Sequence, residues 1–388
     1  MKMENMNTVF LFGGISQYME ILKNIKDQRL EGKSDLLLSS KDISFEYTES
    51  EAKFSVFLRT PDGIMQTQPS DWAMQQFAEY LDIPYRYIQK MLLEENSTLL
   101  NENMNYWLQR TNETRLVRTI YNYKKPEDKT RMLIALLSPR YRPLDNYDIM
   151  NAVLSNPLVV DLVQKGTFKM HHAYLTDSSL SVMFYDLSHI YRLPEHESDV
   201  YFAGLSIRNS EVGKSAFYLE PSLYRQVCSN GLIASYGYGG EDEKGGYKRI
   251  HLGKRIDDIG NIWSNTTRIA EGNLILSQIN DTINYALDPD SVQIRIEQLA
   301  EAKKKPIKPS WIDDTAVELG LTKEENQKIW DKIDENTRYG FIQATTSYAN
   351  SILRDDGNPE RATELQRKAW TFKDDDVWAK IEKKHEND

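Results

Sequence analysis

The sequence predicts an α+β fold, in which a mostly antiparallel, hairpin-rich sheet packs with helices and is followed by a helical C-terminal region. Two observations lead to this class. Between about residues 115 and 220, strand-like runs occur in adjacent pairs that short polar turns separate. Beyond residue 256, apolar residues recur at helical spacing over long stretches that Pro306, Pro309 and Pro359 interrupt.

The first 110 residues are predicted to mix helices and strands. Apolar residues three and four positions apart indicate a helix, and alternation of apolar and polar residues indicates a strand. In chain order, the predicted elements are a helix over residues 15–28, strands over 43–47 and 54–58, a helix that starts at Ser70 or Asp71 and buries Trp72, Met74, Phe77, Ala78 and Leu81, a short helix after Pro84, and a helix near 99–109.

The middle of the chain is predicted to consist largely of hairpins. Each hairpin combines two runs of strand length with a polar turn between them. The pairs are residues 116–123 with 131–137, 169–175 with 180–185, and 200–207 with 215–219. A short helix is expected over 145–154, and the glycine-rich segment 237–246 is expected to be a loop.

Three units are predicted: an N-terminal helical segment over residues 1–40, an α+β core domain over 41–255 and the helical C-terminal region over 256–388. The chain is 40% apolar and 11% aromatic, which is enough to bury a core and excludes a fully disordered protein. No run approaches the roughly 18 apolar residues of a membrane span. The single cysteine, Cys228, excludes an internal disulfide, so a reducing cytoplasm is the expected location.

The net charge of −10 is unevenly distributed along the chain. It is −5 over residues 1–110, +3 over 111–255 and −8 over 256–388. This balance argues against a wholly basic nucleic-acid-binding protein. A basic groove on an acidic body stays open, and so does an ordinary mixed surface.

No catalytic motif is predicted. Residues 208–215 end in Gly-Lys-Ser, as a phosphate-binding loop does, but Arg208 stands where that loop requires glycine. A strand is also predicted after Ser215, where a phosphate-binding loop needs a helix. We therefore interpret the segment as a hairpin turn with Lys214 at its tip. Cys228 has no basic partner nearby in the sequence and is expected to be a buried structural residue.

The histidines offer little for metal binding. His171 and His172 are adjacent on a predicted strand and should therefore point to opposite faces. His189 and His196 lie among acidic residues in a predicted loop over 186–199. A hydrolase or transferase that uses this loop is a minor alternative, and no metal ligand, cofactor or catalytic residue is assigned.

Basic and aromatic residues are interleaved in the middle of the chain. Arg140, Tyr141 and Arg142 directly follow a buried strand. Cationic grooves with aromatic platforms bind single-stranded nucleic acid, with stacking of roughly 1–3 kcal/mol per base. In the alternative interpretation, Arg140 and Arg142 pair internally with Asp145 or Asp148. The candidate contacts are Arg140, Tyr141, Arg142, Lys214, Tyr224, Arg225, Lys248 and Arg249.

Three blocks follow one another along the chain: residues 135–146 (ALLSPRYRPLDN), 204–215 (GLSIRNSEVGKS) and 224–232 (YRQVCSNGL). They resemble the conserved blocks of the phage/plasmid-like family that is defined by a domain of unknown function, number nine-three-two. The resemblance covers about residues 40–255. It implies a protein of a phage, plasmid or integrated element in the cytoplasm of a host cell, and it transfers no catalytic residue.

The leading hypothesis is a non-enzymatic, oligomer-forming DNA-binding protein of a mobile element, which acts in recombination or single-strand handling. Its expected partners are single-stranded DNA and further copies of the chain, with no membrane. The alternative is a protein-binding module, such as an inhibitor or adaptor directed at a host system through the acidic region over residues 256–388.

Overall fold

The structure, a computed structural model, describes residues 8–13, 23, 35–48, 53–94, 96–121, 131–141, 144–176, 178–194, 196–226, 230–233, 265–356 and 358–385. Within these ranges the chain forms two six-stranded sheets and twelve α-helices, which confirms the α+β class. Helices dominate the described part of the C-terminal region, as predicted. None of the helices in these ranges combines the length and apolar character that a membrane crossing requires.

The strands are β1 (Thr8–Gly13), β2 (Asp35–Ser39), β3 (Ile43–Thr48), β4 (Lys53–Thr60), β5 (Gly63–Pro69), β6 (Thr114–Tyr121), β7 (Arg131–Leu137), β8 (Phe168–Leu175), β9 (Leu180–Leu193), β10 (His196–Asn209), β11 (Tyr218–Arg225) and β12 (Asn230–Ile233). The helices are α1 (Asp71–Tyr80), α2 (Tyr85–Leu93), α3 (Ser97–Arg110), α4 (Asn146–Leu154), α5 (Pro157–Gln164), α6 (Asn265–Leu287), α7 (Pro289–Lys304), α8 (Ile312–Leu319), α9 (Lys323–Trp330), α10 (Arg338–Ser351), α11 (Pro359–Thr371) and α12 (Asp375–His385). Apart from residue 23, which is helical, the predicted helix over residues 15–28 lies outside the described residues, as does the predicted loop over 237–246.

The N-terminal sheet has the strand order β2-β6-β7-β5-β4-β3. Neighbouring strands of this sheet run antiparallel, except for β5 and β7, which run parallel. A parallel pair needs a long crossover connection, and helices α1–α3 and strand β6 form it here. The predicted hairpins β3–β4 and β6–β7 are both present. Ser70 caps α1 as predicted, since its side chain accepts a hydrogen bond from the Ala73 N–H at 3.1 Å.

Helix α3 covers the edge of the N-terminal sheet at β3. The Asn105 side chain accepts from the Phe45 N–H and donates to the Phe45 carbonyl, both at 2.8 Å. One amide therefore satisfies both backbone groups of an edge-strand residue, which closes that position to pairing with another strand. The same two bonds fix how far α3 is rotated about its axis.

The central sheet has the strand order β1-β8-β9-β10-β11-β12 and is antiparallel throughout. Alternate residues of its strands, such as Phe184, Leu205 and Leu223, lie in one hydrophobic core with residues of α4, α6, α7 and the later helices. This core therefore contains described residues from both the predicted α+β core domain and the predicted helical C-terminal region. Strand β1 joins the sheet through the pairing of Thr8 with Leu175, so part of the segment over residues 1–40 is strand.

Two local predictions about the central sheet are wrong. The segment over residues 186–199 is not a loop, because β9 and β10 extend through most of it, with a register shift between Tyr201 and Ala203 that leaves Leu187 to Ile190 as a bulge of β9. These four residues are exposed, so the segment lacks the apolar alternation by which strands are recognised. Strand β11 begins at Tyr218 and not at residue 215, because the preceding residues form a loop.

His171 and His172 do not point to opposite faces. A register shift between Met170 and His172 marks a β-bulge, which turns both imidazoles to one side. Their Nδ1 atoms are hydrogen-bonded at 2.8 Å, so one ring donates and the other accepts. Both side chains are buried. Burial, and then the neighbouring His171, hold the pKa of His172 well below its ordinary value.

A buried polar network joins the central sheet to the C-terminal helices. Gln343 donates to the Tyr201 hydroxyl at 3.1 Å, the two hydroxyls of Tyr201 and Tyr339 lie 2.6 Å apart, and Tyr339 donates to Asp199 at 2.9 Å. Arg225 donates to the same carboxylate through Nε at 3.1 Å and through Nη2. Burial would raise the pKa of Asp199, but the bonds from Arg225 and Tyr339 lower it below its ordinary value.

Replacing Arg225 by alanine should lower the free energy of unfolding by about 3–5 kcal/mol, because the buried Asp199 carboxylate loses its guanidinium partner. Urea denaturation measures this loss. Arg192, an exposed residue of β9, provides the control, and Arg192→Ala should stay within about 0.5 kcal/mol of the parent. Equal effects of the two substitutions would contradict the assigned role of Arg225.

The His171–His172 pair should make stability depend on pH. The unfolded chain binds a proton at His172 near pH 6.5, whereas the native state resists it. The free energy of unfolding should therefore fall as the pH drops below about 6.5, by up to about 1.4 kcal/mol per pH unit. His172→Gln should flatten this slope between pH 7 and 5. A slope as steep as that of the parent protein would refute the assignment.

Candidate functional site

The loop after β10 attaches the central sheet to the N-terminal sheet. We call residues 209–214 the junction loop. Asn209 donates to the Leu144 carbonyl and to the Asn146 side chain, both at 2.8 Å, and the Tyr141 hydroxyl donates to the Ser210 carbonyl at 3.1 Å. These bonds hold the loop against the chain that leads from β7 into α4.

Val212 anchors the junction loop in an apolar pocket of the N-terminal sheet. It is fully buried against residues of β6 and β7, with Trp72 packed beside them. Its carbonyl accepts from Trp72 Nε1 at 3.1 Å and from Gln76 Nε2 at 2.9 Å. Helices α1–α3 thus pack on one face of the N-terminal sheet, and the junction loop packs on the other face at β6 and β7.

Gly213 makes the close approach possible. Its φ of +77° lies in the left-handed region that favours glycine. A Cβ at this position would stand 2.9 Å from Leu137 Cδ2 and 3.6 Å from Tyr141 Cε2. Gly213, the glycine of the Gly-Lys-Ser segment, therefore lies in a turn that packs against the N-terminal sheet. This agrees with the interpretation of the segment as a turn.

Arg118 lies beneath the junction loop with no exposed surface. Nε and Nη2 bind the Asp35 carboxylate at 2.8 and 3.1 Å, Nη2 also donates to Asp145 at 2.8 Å, and Nη1 donates to the Glu211 carbonyl at 2.7 Å. One guanidinium thereby links β2, β6, the start of α4 and the junction loop. Arg118 is thus a partner of Asp145, a role that one interpretation of the sequence gave to Arg140 or Arg142.

This arrangement changes how helix α4 begins. Asp145 is its N-cap residue, yet its side chain makes no capping bond. The Glu211 carboxylate accepts from the Asn146 N–H at 2.7 Å instead. A negative charge at a helix N-terminus is favourable. A residue of the junction loop therefore completes a helix that belongs to a distant part of the sequence.

Two of the predicted contacts, Tyr141 and Lys214, lie at this junction, and Arg140 directly precedes Tyr141 in the chain. Arg140 is exposed in a turn that the Tyr141 N–H closes onto the Ser138 carbonyl at 2.9 Å, so the chain does not continue there as a strand. The Lys214 ammonium lies 5.4 Å from the centre of the Trp72 ring and 3.1 Å from Glu360. Its side chain is 30% exposed, and Tyr141 is half-buried.

Tyr141 is held as a neutral hydrogen-bond donor. Burial, and then the carboxylates of Glu211, Asp145 and Asp35, raise the pKa of Tyr141 to about 12. The phenol therefore keeps its proton over the physiological range. Its bond to Ser210 orients the ring beside Gly213.

The other predicted contacts do not join this cluster. Tyr224 stacks on Tyr185 with ring centres 4.3 Å apart, and Arg225 binds Asp199 in the buried network. Tyr224 and Arg225 lie at the end of β11 that is farther from the junction, roughly 20 Å away at about 3.3 Å per residue. Arg142, Lys248, Arg249 and Cys228 lie outside the described residues.

The described side chains of the histidine-and-acid segment show no metal site, and the side chain of His196 lies outside the described ones. His189 lies exposed on β9, and its Nδ1 atom is 2.9 Å from the Ser188 hydroxyl. Across the described ranges, no three His, Cys, Asp or Glu side chains are grouped so that they could hold a metal ion.

Arg118 is not among the residues predicted from the sequence, and Trp72 is predicted only as a buried residue of a helix. The signal for Arg118 is an arginine in the middle of the apolar run from Leu116 to Ile120, where an unpaired charge would be too costly. Nothing in the sequence identifies its partners, which come from three distant segments.

No family model, no curated protein and no solved structure matches this chain. The resemblance to the phage/plasmid-like family therefore stays a prediction. Two of the blocks on which it depends, residues 135–146 and 204–215, contact each other at the junction through Tyr141, Asn146 and residues of the junction loop.

Arg118→Leu should lower the free energy of unfolding by about 3 kcal/mol, because two carboxylates and a buried carbonyl lose their donor. Both carboxylates are partly hydrated, which keeps the cost at the low end of the range for buried pairs. Arg59→Ala on β4, an exposed position, should change stability by less than about 0.5 kcal/mol. An Arg118→Leu protein as stable as the Arg59→Ala protein in urea would show that the pairing is not required.

Proposed function

We propose that this protein binds single-stranded DNA without catalysing a reaction, as a mobile-element protein of recombination or single-strand handling. The observation that carries the proposal is that Tyr141, which Arg140 precedes in the chain, and Lys214 lie at the same loop. They come from two segments about 70 residues apart and lie around one junction loop, together with Trp72. Cationic groups beside aromatic rings are the pattern that single-strand binding requires.

The chemistry of this surface supports DNA binding through contacts to the phosphate backbone and through stacking of bases on aromatic rings. Arg140 is exposed and stays charged, so it suits a phosphate contact. Lys214 is partly neutralised by Glu360, which limits its attraction for a distant polyanion. A phosphate that approaches the Lys214 ammonium would have to compete with this carboxylate. The proposed affinity is therefore modest and strongly dependent on salt.

A second candidate function is a protein-binding module. The observation that favours it is the charge of −8 over residues 256–388. Within that region, helix α8 exposes Val317 at 69% next to the exposed Asp313, one helical turn away. An apolar side chain beside carboxylates would fit a partner with a basic rim around an apolar pocket.

Fluorescence anisotropy of a labelled single-stranded oligonucleotide, titrated at several salt concentrations, tests the first candidate. Arg140→Ala and Lys214→Ala should each weaken binding, and each should reduce the slope of log affinity against log salt by about 0.7. Lys328→Ala removes an exposed charge on α9 and should change neither quantity. Arg140→Ala and Lys328→Ala should unfold at the temperature of the parent protein, and Lys214→Ala should unfold slightly below it because it loses its contacts with Glu360 and Trp72.

No binding at about 50 mM salt would refute the proposal, since electrostatic attraction is near its strongest there. If Lys328→Ala and Arg140→Ala changed the affinity for the oligonucleotide equally, the DNA-binding site would lie elsewhere than at the junction. A single stoichiometric host protein, captured without nucleic acid, would support the second candidate.

A further inference from the structure

Helix α3 presents an ordered stripe of apolar, aromatic and charged side chains to solvent. Leu100, Met104 and Leu108 are fully buried and face the core of the N-terminal sheet. The opposite face of the helix carries a stripe of residues at spacings of three and four: Leu99, Glu102, Tyr106 and Arg110. Leu99 is 54% and Tyr106 53% exposed, and the flanking Trp107 is 44% exposed.

The aromatic part of this stripe is already organised. The rings of Tyr106 and Trp107 meet edge to face at 5.2 Å. The Arg110 guanidinium lies 4.9 Å from the Tyr106 ring, and its Nη1 donates to the Tyr106 hydroxyl at 2.6 Å. Tyr, Trp and Arg are the side chains that dominate protein interfaces. Because they are preordered, little side-chain entropy is lost when a partner covers them.

The charges of the stripe are self-complementary. Glu102 and Arg110 flank Tyr106 at four residues on either side, which is about 6 Å along the helix axis in each direction. If two such helices lie antiparallel around a two-fold axis at Tyr106, each Glu102 faces an Arg110 of the other copy. A two-fold interface requires this kind of self-complementary patch.

We propose that the α3 stripe is the interface through which two copies of this chain associate, with Tyr106 at the two-fold axis and two Glu102–Arg110 pairs between the copies. The mixed charge favours a second copy over a nucleic acid, because Glu102 would face the phosphates of a bound strand. The Asn105–Phe45 bonds hold α3 to its own sheet, so the face is rigid before association. One helix per copy makes a small interface, so the dimer should dissociate on dilution.

Sedimentation velocity over a range of protein concentrations tests the interface by charge exchange. The parent protein should shift from monomer to dimer as its concentration rises. E102R and R110E should each weaken association by roughly tenfold or more, because like charges then face each other twice. An equimolar mixture of E102R and R110E should associate again, because the mixed dimer restores both opposite-charge pairs. Glu79→Arg, an exposed charge reversal on α1, should associate like the parent.

Mixing the two single variants separates a broken interface from a misfolded chain, since misfolding would not be rescued by mixing. A parent protein that stays monomeric at every concentration would overturn the proposal. So would single variants that dimerise like the parent, or a mixture that stays monomeric. Loss of oligonucleotide binding in Trp107→Ala with unchanged association would assign the stripe to nucleic acid instead. None of these variants alters Arg140 or Lys214, so the outcome is independent of the proposed DNA contacts.

Discussion

The buried guanidinium of Arg118 is the constraint on which the arrangement of the two sheets depends. A guanidinium cannot lose its charge, and in a site with no exposed surface each of its donors needs an acceptor. Asp35, Asp145 and the Glu211 carbonyl supply those acceptors from three separate segments. Strand β2 already pairs with β6, so Asp35 lies beside Arg118 within one sheet. The two sheets can therefore dock only in the geometry that brings the start of α4 and the junction loop to β6, whereas apolar contact alone would tolerate neighbouring arrangements.

The bonds of Arg118 also fix the junction loop, and through it the position of surface residues. With its Glu211 carbonyl held by Arg118 and Val212 buried, the loop has little freedom, and the backbone of Gly213 is pressed against Leu137. The position of Lys214 over Trp72 follows from this anchoring. A surface built on a loop is usually less well positioned than one built on a strand, but here buried bonds on both sides of the loop supply the missing rigidity.

The elements with strong local signals could be predicted from sequence. The cap at Ser70 and the hairpin of β6 with β7 depend on residues close together in the chain, and both are present. Strand β5 was missed because much of it faces solvent and it lacks apolar alternation. The bulge at His171 and the acceptors of Arg118 could not be predicted, since each is decided by partners distant in sequence. The same limit applies to the candidate site: its basic and aromatic residues could be named, but which of them meet is decided by the docking of the sheets.

Tyr141 shows how one residue can take part in both the fold and the proposed contact. Its hydroxyl donates to the Ser210 carbonyl, and a pKa of about 12 keeps that donor protonated. Stacking on a base would use the face of the ring and needs no polar atom. The hydrogen bond thus fixes the plane of the ring relative to the junction loop while leaving its π-surface out of the hydrogen-bond network. A half-buried tyrosine anchored at its hydroxyl loses less entropy on stacking than a freely rotating one would, so the buried bonds that hold the sheets together also support the proposed binding surface.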